Sequence, residues 1–391
     1  MKKKFFGFSQ NVFILSAVSF LNDVGGETIK RTIPLFLTNV LGVKTGIVGI
    51  VEGVGEATPQ IFQLISGNLS DRLKKRKGLI LFGQALRSLM VFLFWAGSWP
   101  IVLILRFLDR SGKGITGAPR DALISLSSED GKKGRSFGLN RTMDNAGAVF
   151  GLLAAALIIH FAQKGQMTLE VATFQKIVLL AVIPLFLALI FIFFFVADKD
   201  EETVYNKLEF NKKLGKKFYK FLGLSFLFTL GNSSDGFLIL RAQNLGTSLA
   251  IIFLFLAILN LSASVVSLPA GNLSDQLGRK KLLLGGWFLY ALIYLGFGVA
   301  SSFWSVFVLF LLYGFYYGAT EGVAKALVAD VVPKDRQGTA FGIYNMVVGL
   351  TLFLASVLAG YLWQYFSPAA TFYFGALMSF LAFLGLVFFK E

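Results

Sequence analysis

The sequence predicts an all-α integral membrane protein, with twelve transmembrane helices in two pseudo-symmetric six-helix bundles. Three observations predict it. Of 391 residues, 55% are hydrophobic and only 15% are charged, whereas soluble domains carry about a quarter charged residues. The apolar residues, 43 phenylalanines among them, fall in windows as long as the roughly 20 residues a bilayer span needs. The pentapeptide GNLSD occurs twice, at Gly67–Asp71 and Gly271–Asp275, 204 residues apart.

The apolar windows give spans at about 10–41, 45–71, 78–97, 99–127, 136–162, 172–196, 214–244, 247–275, 281–301, 303–332, 337–366 and 368–389. Several exceed the bilayer minimum, so they tilt or extend beyond the hydrocarbon. The opening MKKKFFGFSQ is followed by no small-residue cleavage site, so the first apolar window is expected to be a retained span. Cations cluster in alternate connectors: Lys2 to Lys4, Arg72 to Lys77, Lys132 to Arg135, the 197–213 segment, Arg279 to Lys281, and Lys334 with Arg336. The other side holds little beyond Lys44 and Lys164. This is the positive-inside pattern. It places the basic connectors and both termini in the cytoplasm and accounts for the net charge of +15 without a nucleic-acid partner. The expected location is the cytoplasmic (inner) membrane, as a multi-pass protein among its lipids.

The one long polar stretch, ADKDEETVYNKLEFNKK, mixes both signs of charge as a solvated linker does. It divides the chain into an N-terminal bundle (1–196), a cytoplasmic linker (197–213) and a C-terminal bundle (214–391). The repeat agrees with that division. Besides GNLSD, the pair Ala122–Leu123 recurs at Ala326–Leu327, and GRSFG at Gly134 matches GTAFG at Gly338, all at the same offset. Three matching registers indicate a parallel duplication, a common plan for transporters whose substrate path lies between repeats.

Each charge inside a span costs several kcal/mol unless it is paired or hydrated, so the embedded charges are the candidate functional residues. The first span has Asp23, Glu27, Lys30 and Arg31; the second Glu52 and Glu56; the third Arg87. The fourth has Arg106, Asp109, Arg110, Lys113, Arg120 and Asp121, and the fifth Arg141 and Asp144. Asp23 and Glu27 are four apart, as are Glu52 and Glu56, so each pair stacks on one helix face. Arg106, Asp109, Arg110 and Lys113 follow i, i+3, i+4, i+7 and form one polar stripe. Seven acids against eight bases make this network close to neutral. Two readings stay open. The charges can pair with one another and stabilise the bundle, or some can serve transport. In the second reading Arg87, Arg106, Arg110, Lys113 and Arg141 suit a carboxylate or phosphate, while Asp23, Glu27, Glu56, Asp109 and Asp144 are proton-coupling candidates.

The C-terminal spans differ. They contain FLFTLGNSSDGF and LYGFYYGATEG, with the embedded charges Asp235, Arg241, Glu321, Lys325 and a peripheral Asp330. Tyr313, Phe315, Tyr316 and Tyr317 either pack helices or wall a path for an organic solute, since such sites are mostly apolar with a few placed polar groups. Tyr313, Tyr317 and Glu321 are the path candidates. Absence of cysteine excludes disulfides and thiolate chemistry, and the single histidine, His160, excludes a multi-histidine metal site. No metal or other cofactor is expected, and no phosphate-binding loop supports direct ATP drive. A lipid-acting membrane enzyme would need a clustered nucleophile or a His–Asp pair, and the sequence has neither, so the chain is expected not to be an enzyme.

At this point the sequence resembles the major facilitator superfamily. That family's signature between helices 2 and 3 is G-x-x-x-D-R-x-G-R-R. Gly67, Asp71 and Arg72 match it, Lys74 replaces the second glycine, and Lys75 and Arg76 supply the basic pair. In the second copy Gly271, Asp275, Gly278, Arg279 and Lys280 match, with Gln276 in place of the arginine. The helix 4 pattern R-x-x-Q-G-x-G-x-G aligns with RFLDRSGKG, where Arg106, Gly112 and Gly114 fit while Asp109 and Arg110 depart. The helix 5 element of drug antiporters, G-P-x-x-G-G, has its glycines in Gly147 and Gly151 but lacks the proline.

The resemblance implies a secondary transporter working by alternating access, with the junctions at Gly67, Asp71, Arg72, Gly271, Asp275 and Arg279 acting as gates. It also implies a proton as the coupling ion. The expected activity is proton-coupled efflux of a small organic solute, anionic or amphiphilic (a drug, metabolite or siderophore-like polycarboxylate), by a monomer. The alternatives are a proton-coupled importer of an anionic nutrient and a non-transporting receptor.

Overall fold

The computed structural model describes residues 4–73, 75–129, 133–163, 166–198, 214–333 and 336–389. A two-residue hairpin, β1 (Lys4–Phe5) with β2 (Phe8–Ser9), leads into the helices. Ser9 caps α1 (Gln10–Leu35) by accepting from the Val12 N–H at 3.5 Å. Pro34 lies just before the point where α1 widens into a π-helical turn, Phe36–Val40. Then follow α2 (Thr45–Leu73), α3 (Arg76–Ser88) with a 3₁₀ continuation at Leu89–Trp95, α4 (Trp99–Ser127), α5 (Lys133–Gln163) and α6 (Val171–Phe195). The linker expected at 197–213 falls almost entirely outside the described residues.

The seventh expected span departs from the sequence expectation. Instead of one helix over 214–244 there are two, α7 (Lys216–Gly231) and α8 (Gly236–Asn244), interrupted at 232–235. The interruption reads Asn-Ser-Ser-Asp between two glycines. Short polar side chains compete with the backbone for its own hydrogen bonds, and flanking glycines weaken helix propagation. Four residues of that kind in a row outweigh the apolar content on either side. The remaining helices are α9 (Leu249–Leu277), α10 (Arg279–Val299), α11 (Phe303–Asp330), α12 (Gln337–Tyr365) and α13 (Pro368–Val387).

Among the described residues nine helices are long and apolar enough to cross a membrane. The expected spans outside that set are α2, α4 and the α7–α8 pair. Their reasons are local: α4 bears the charged stripe, α2 carries two glutamates, and α7–α8 is interrupted.

The helices form two compact units. Unit 1 holds Met1–Leu41 with Thr58–Asn206, and unit 2 holds Gly42–Ala57 with Lys207–Glu391. In unit 1, α1 packs on α5 and α6, and α3 packs on α4 and α6. In unit 2, α7 packs on α12 and α13, and α10 packs on α11 and α13. These pairings are the same set shifted by one repeat, so the duplication seen in sequence is carried into packing.

Small residues allow the closest approaches. A Cβ on Gly83 of α3 would fall 2.7 Å from the Gly112 carbonyl oxygen of α4, which brings the backbone of Arg87 beside the charged stripe. The first segment of α2 joins unit 2 in a similar way. Gly49 and Gly53 face the α12 backbone at Ser356 and Phe353, and Gly360 of α12 faces Gly46. Thr45 Oγ1 donates to the Gly360 carbonyl at 3.2 Å, and the Gly46 N–H donates to Gln364 Oε1 at 3.2 Å.

Candidate functional sites in the two units

In unit 1 the stripe on α4 is buried rather than lipid-facing: Arg106, Asp109 and Arg110 are all buried. Asp109 lies between two guanidiniums, with Arg87 Nε of α3 at 3.4 Å and Arg106 Nη1 of its own helix at 4.0 Å. Arg87 also donates from Nη2 to the Asn22 carbonyl of α1 at 3.3 Å. It fits there because the neighbouring residue on α1 is Gly26, where a Cβ would meet Arg87 Nη2 at 2.7 Å. Lys113, one turn further along α4, is within electrostatic reach of Asp23, Glu27, Arg87 and Arg110. Asp23 is within electrostatic reach of Lys113, Asp144, Glu27 and Arg87. Glu27 also takes Arg31 Nε at 3.4 Å.

A second node ties α1, α4 and α5 together. Arg120 donates to Asp121 Oδ1 at 3.1 Å and to Ser19 Oγ at 2.9 Å, and stands 4.0 Å from Asp144. Ser19 donates to Asn140 Oδ1, whose amide in turn donates to Asp144 Oδ2 at 3.2 Å. The structure therefore brings together Asp23, Glu27, Arg87, Arg106, Asp109, Arg110, Lys113 and Asp144. It leaves Arg141 exposed on α5.

Glu52 and Glu56 sit in the α2 segment that belongs to unit 2. The embedded charges left in unit 1 are five acids and eight bases, an excess of three positive charges.

Unit 2 has a polar centre that the sequence reading did not assemble. Ser234, in the interruption between α7 and α8, donates to Glu52 Oε2 at 2.7 Å, and its N–H donates to Ser356 Oγ of α12 at 3.1 Å. Tyr313 of α11 donates to Asp235 Oδ1 at 2.8 Å. Tyr290 of α10 donates to the Gly231 carbonyl at 3.1 Å, where the end of α7 leaves it without an intrahelical donor. Around this point Tyr290, Tyr294, Tyr313 and Tyr316 are all buried. The Tyr290 and Tyr294 rings stack at 4.2 Å, and Tyr316 meets Tyr290 edge-on at 4.8 Å. Tyr317, one turn after Tyr313, is exposed, and Glu56 is half-buried. The signal for Asp235 and Ser234 was the NSSD run itself. Glu52 gave none that separates it from Glu56.

At the repeated junctions, Gly67 faces Ala118 of α4, with a Cβ there 3.4 Å from the Ala118 methyl, whereas a Cβ on Gly271 would meet nothing within 4 Å. Arg279 pairs with Asp330 at 3.0 Å, beside a cavity of about 530 Å³ lined by Lys217, Ser274, Arg279 and Asp330. The side chains of Asp71, Arg72, Asp275 and Glu321 lie outside the described residues.

Comparison with known proteins follows the same lines. The family model described as Major Facilitator Superfamily matches residues 15–240 and 221–391. The chain is 38% identical over 390 residues to an uncharacterized MFS-type transporter of Methanocaldococcus jannaschii, covering 97% of this chain and 95% of that one. Over 122 residues it is 34% identical to the class H tetracycline resistance protein of Pasteurella multocida, which spans 31% of this chain and 30% of that protein. Among solved structures, that of the nucleoside transporter NupG superposes with a TM-score of 0.79 at 12% identity, covering 97% of this chain and 100% of the other.

Proposed function

Because this chain belongs to the Major Facilitator Superfamily of membrane transporters, we propose that it is a secondary active transporter of a small organic anion, working by alternating access between the halves 1–196 and 214–391. The observation that carries the reading is the buried charge group of unit 1, with Arg87, Arg106, Arg110 and Lys113 on adjoining faces of α3 and α4. Guanidinium forks suit carboxylate or phosphate. The tyrosines of α10 and α11 supply an apolar, hydroxyl-bearing wall for the organic part of such a solute.

Coupling to protons is part of this reading, with an embedded carboxylate as the carrier. The orientation is that of the basic connectors: both termini in the cytoplasm, in the cytoplasmic membrane, as a monomer surrounded by lipid. Export is the favoured direction, supported by the partial likeness to a tetracycline resistance protein. Uptake of an anionic nutrient is the second reading, which the same cation-rich group also supports.

The test is transport by the full chain in proteoliposomes, using citrate, succinate and a lipophilic amine dye as probes, with and without a pH gradient. Saturable exchange of a carboxylate, accelerated by the gradient, is the expected result. Exchange of the amine alone would overturn the anionic substrate class. Comparing inside-out with right-side-out vesicles decides direction.

A further inference from the structure

We propose that Lys77 and Lys280, one in each repeated junction, close the C-terminal end of the last helix of their own unit. In unit 1 Asp198 closes the third helix in return, so the start of the linker is built into that unit. This gives the junction lysines a positioning role beyond topology, one that is separate from transport and can be tested without a solute.

A helix leaves its last four carbonyls without intrahelical donors and its first four N–H groups without acceptors. In unit 1 the final carbonyls of α6 are met by other helices. Lys77 Nζ donates to the Phe193 carbonyl at 2.8 Å, and Gln10 Nε2 of α1 donates to the Phe195 carbonyl at 3.1 Å. Just beyond the helix, the Asn11 side chain bonds Ala197 twice, donating to its carbonyl at 2.9 Å and accepting its N–H at 3.0 Å. The next residue makes the capping reciprocal: Asp198 Oδ1 accepts the N–H of Lys77 at 2.8 Å. Lys77 is the second residue of α3, and Lys75 in the N-cap position makes no side-chain capping bond. A carboxylate 121 residues further along the chain therefore supplies the acceptor that the local sequence lacks. It does so at the helix end where negative charge is favoured.

Unit 2 repeats the arrangement with its own residues. Lys280 is the second residue of α10, as Lys77 is of α3. Its Nζ donates to the carbonyl of Val387, the last residue of α13, at 3.0 Å, and also to the Phe389 carbonyl just beyond. The sequence repeat by itself does not pair these two lysines, since GNLSD recurs at an offset of 204 whereas Lys77 and Lys280 are 203 apart. What matches is position in the helix: α3 begins five residues after Asp71, and α10 begins four after Asp275. An ammonium at a helix C-terminus also meets the negative end of the helix dipole. The preference of cations for one side of a membrane acts on every lysine of a connector alike. It does not select the second residue of the third helix in both units, and the cap does. Because Lys77 shares its connector with Asp71 and Arg72, the cap ties that junction to the end of α6 and the start of the linker.

Hydrogen–deuterium exchange of the full chain in lipid nanodiscs, read on peptides from the ends of α6 and α13, tests the two caps separately. Lys77→Met is expected to speed exchange several-fold at the end of α6 and to leave the end of α13 as in wild type. Lys280→Met should do the reverse. Lys75→Met and Lys281→Met remove the same charge from the same connectors and should change neither end. Lys77→Arg and Lys280→Arg, which keep a cationic donor, should hold exchange closer to wild type than the methionine variants do. Asp198→Ala should speed exchange in the first turn of α3. It leaves every lysine in place, so it keeps the test decisive should a lysine variant fail to insert or fold. The proposal is overturned by unchanged exchange in Lys77→Met, Lys280→Met or Asp198→Ala. It is equally overturned if Lys75→Met or Lys281→Met speeds exchange as much as its neighbour, which would return these lysines to topology alone.

Discussion

In unit 1 the Arg87 and Arg120 guanidiniums reach carboxylates on neighbouring helices, whereas in unit 2 the buried Arg241 guanidinium reaches main-chain carbonyls. Arg241 donates from Nε to Phe297 O at 2.9 Å and from Nη2 to Gly298 O at 3.0 Å, which are carbonyls in the last turn of α10. Those groups have no intrahelical donor, so this arginine acts as a helix cap. The same residue type thus builds a charged centre in one half and closes a helix end in the other. Asp109 of unit 1 meets the Arg87 guanidinium, whereas Ser234 and Tyr313 hydroxyls donate to Glu52 and Asp235 in unit 2. Two copies of one helical plan have been given different chemistry, so matching position in the repeat does not imply matching role.

The largest effect that tests this contrast is expected from the α4 stripe. Arg106→Ala and Asp109→Asn should each abolish solute exchange in proteoliposomes while the protein still elutes as a folded species. Removing one member of a buried pair also costs about 3–5 kcal/mol of stability, so thermal unfolding should be measured alongside. Normal exchange in both variants would reduce the stripe to packing.

Arg241→Met should show the reverse. Orphaned buried carbonyls cost about 1–3 kcal/mol, so the melting temperature should fall, while exchange per folded molecule stays near wild type. Loss of exchange without loss of stability would erase the proposed difference between the two arginine classes.

A smaller effect is expected where α2 meets α12. Gly49→Leu forces a side chain against the Ser356 carbonyl, and overpacking of that kind typically costs about 1–3 kcal/mol. Crosslinking of cysteines placed at Thr45 and Gly360 should become slower in that variant. Equal crosslinking rates would mean that the close approach is not needed to hold α2 in unit 2.

The smallest effect separates two tyrosines. Tyr313→Ala, which empties a buried site in the stack, should weaken solute affinity more than Tyr317→Ala, which trims an exposed ring. Equal effects, read as KM in exchange assays, would put the solute wall on the exposed face of α11 instead.

Much of this could be read along the chain, because it depends on local patterns. Span positions follow from runs of apolar residues, the duplication from GNLSD and its companions at one offset, and the α4 stripe from i, i+3, i+4, i+7 spacing. The interruption at 232–235 was written in NSSD, yet the long apolar stretches on both sides masked it. Within the candidate site, the residues of α1 and α4 were visible as charges in apolar windows. Their partners Asn22, Ser19 and Asn140 were not, since neutral polar residues in a span carry no comparable cost.

The sequence by itself determined the class, the number of apolar windows, the repeat and the presence of a charged N-terminal half, since each is a pattern of residue types along the chain that needs no knowledge of which faces meet. Only the tertiary structure decided that Glu52 meets Ser234 and that the first part of α2 packs with unit 2. Those facts are contacts between segments 182 residues and more apart, set by which helix faces approach closely enough to bond. A one-dimensional pattern of polarity specifies that a face is polar. It takes packing to specify what that face meets.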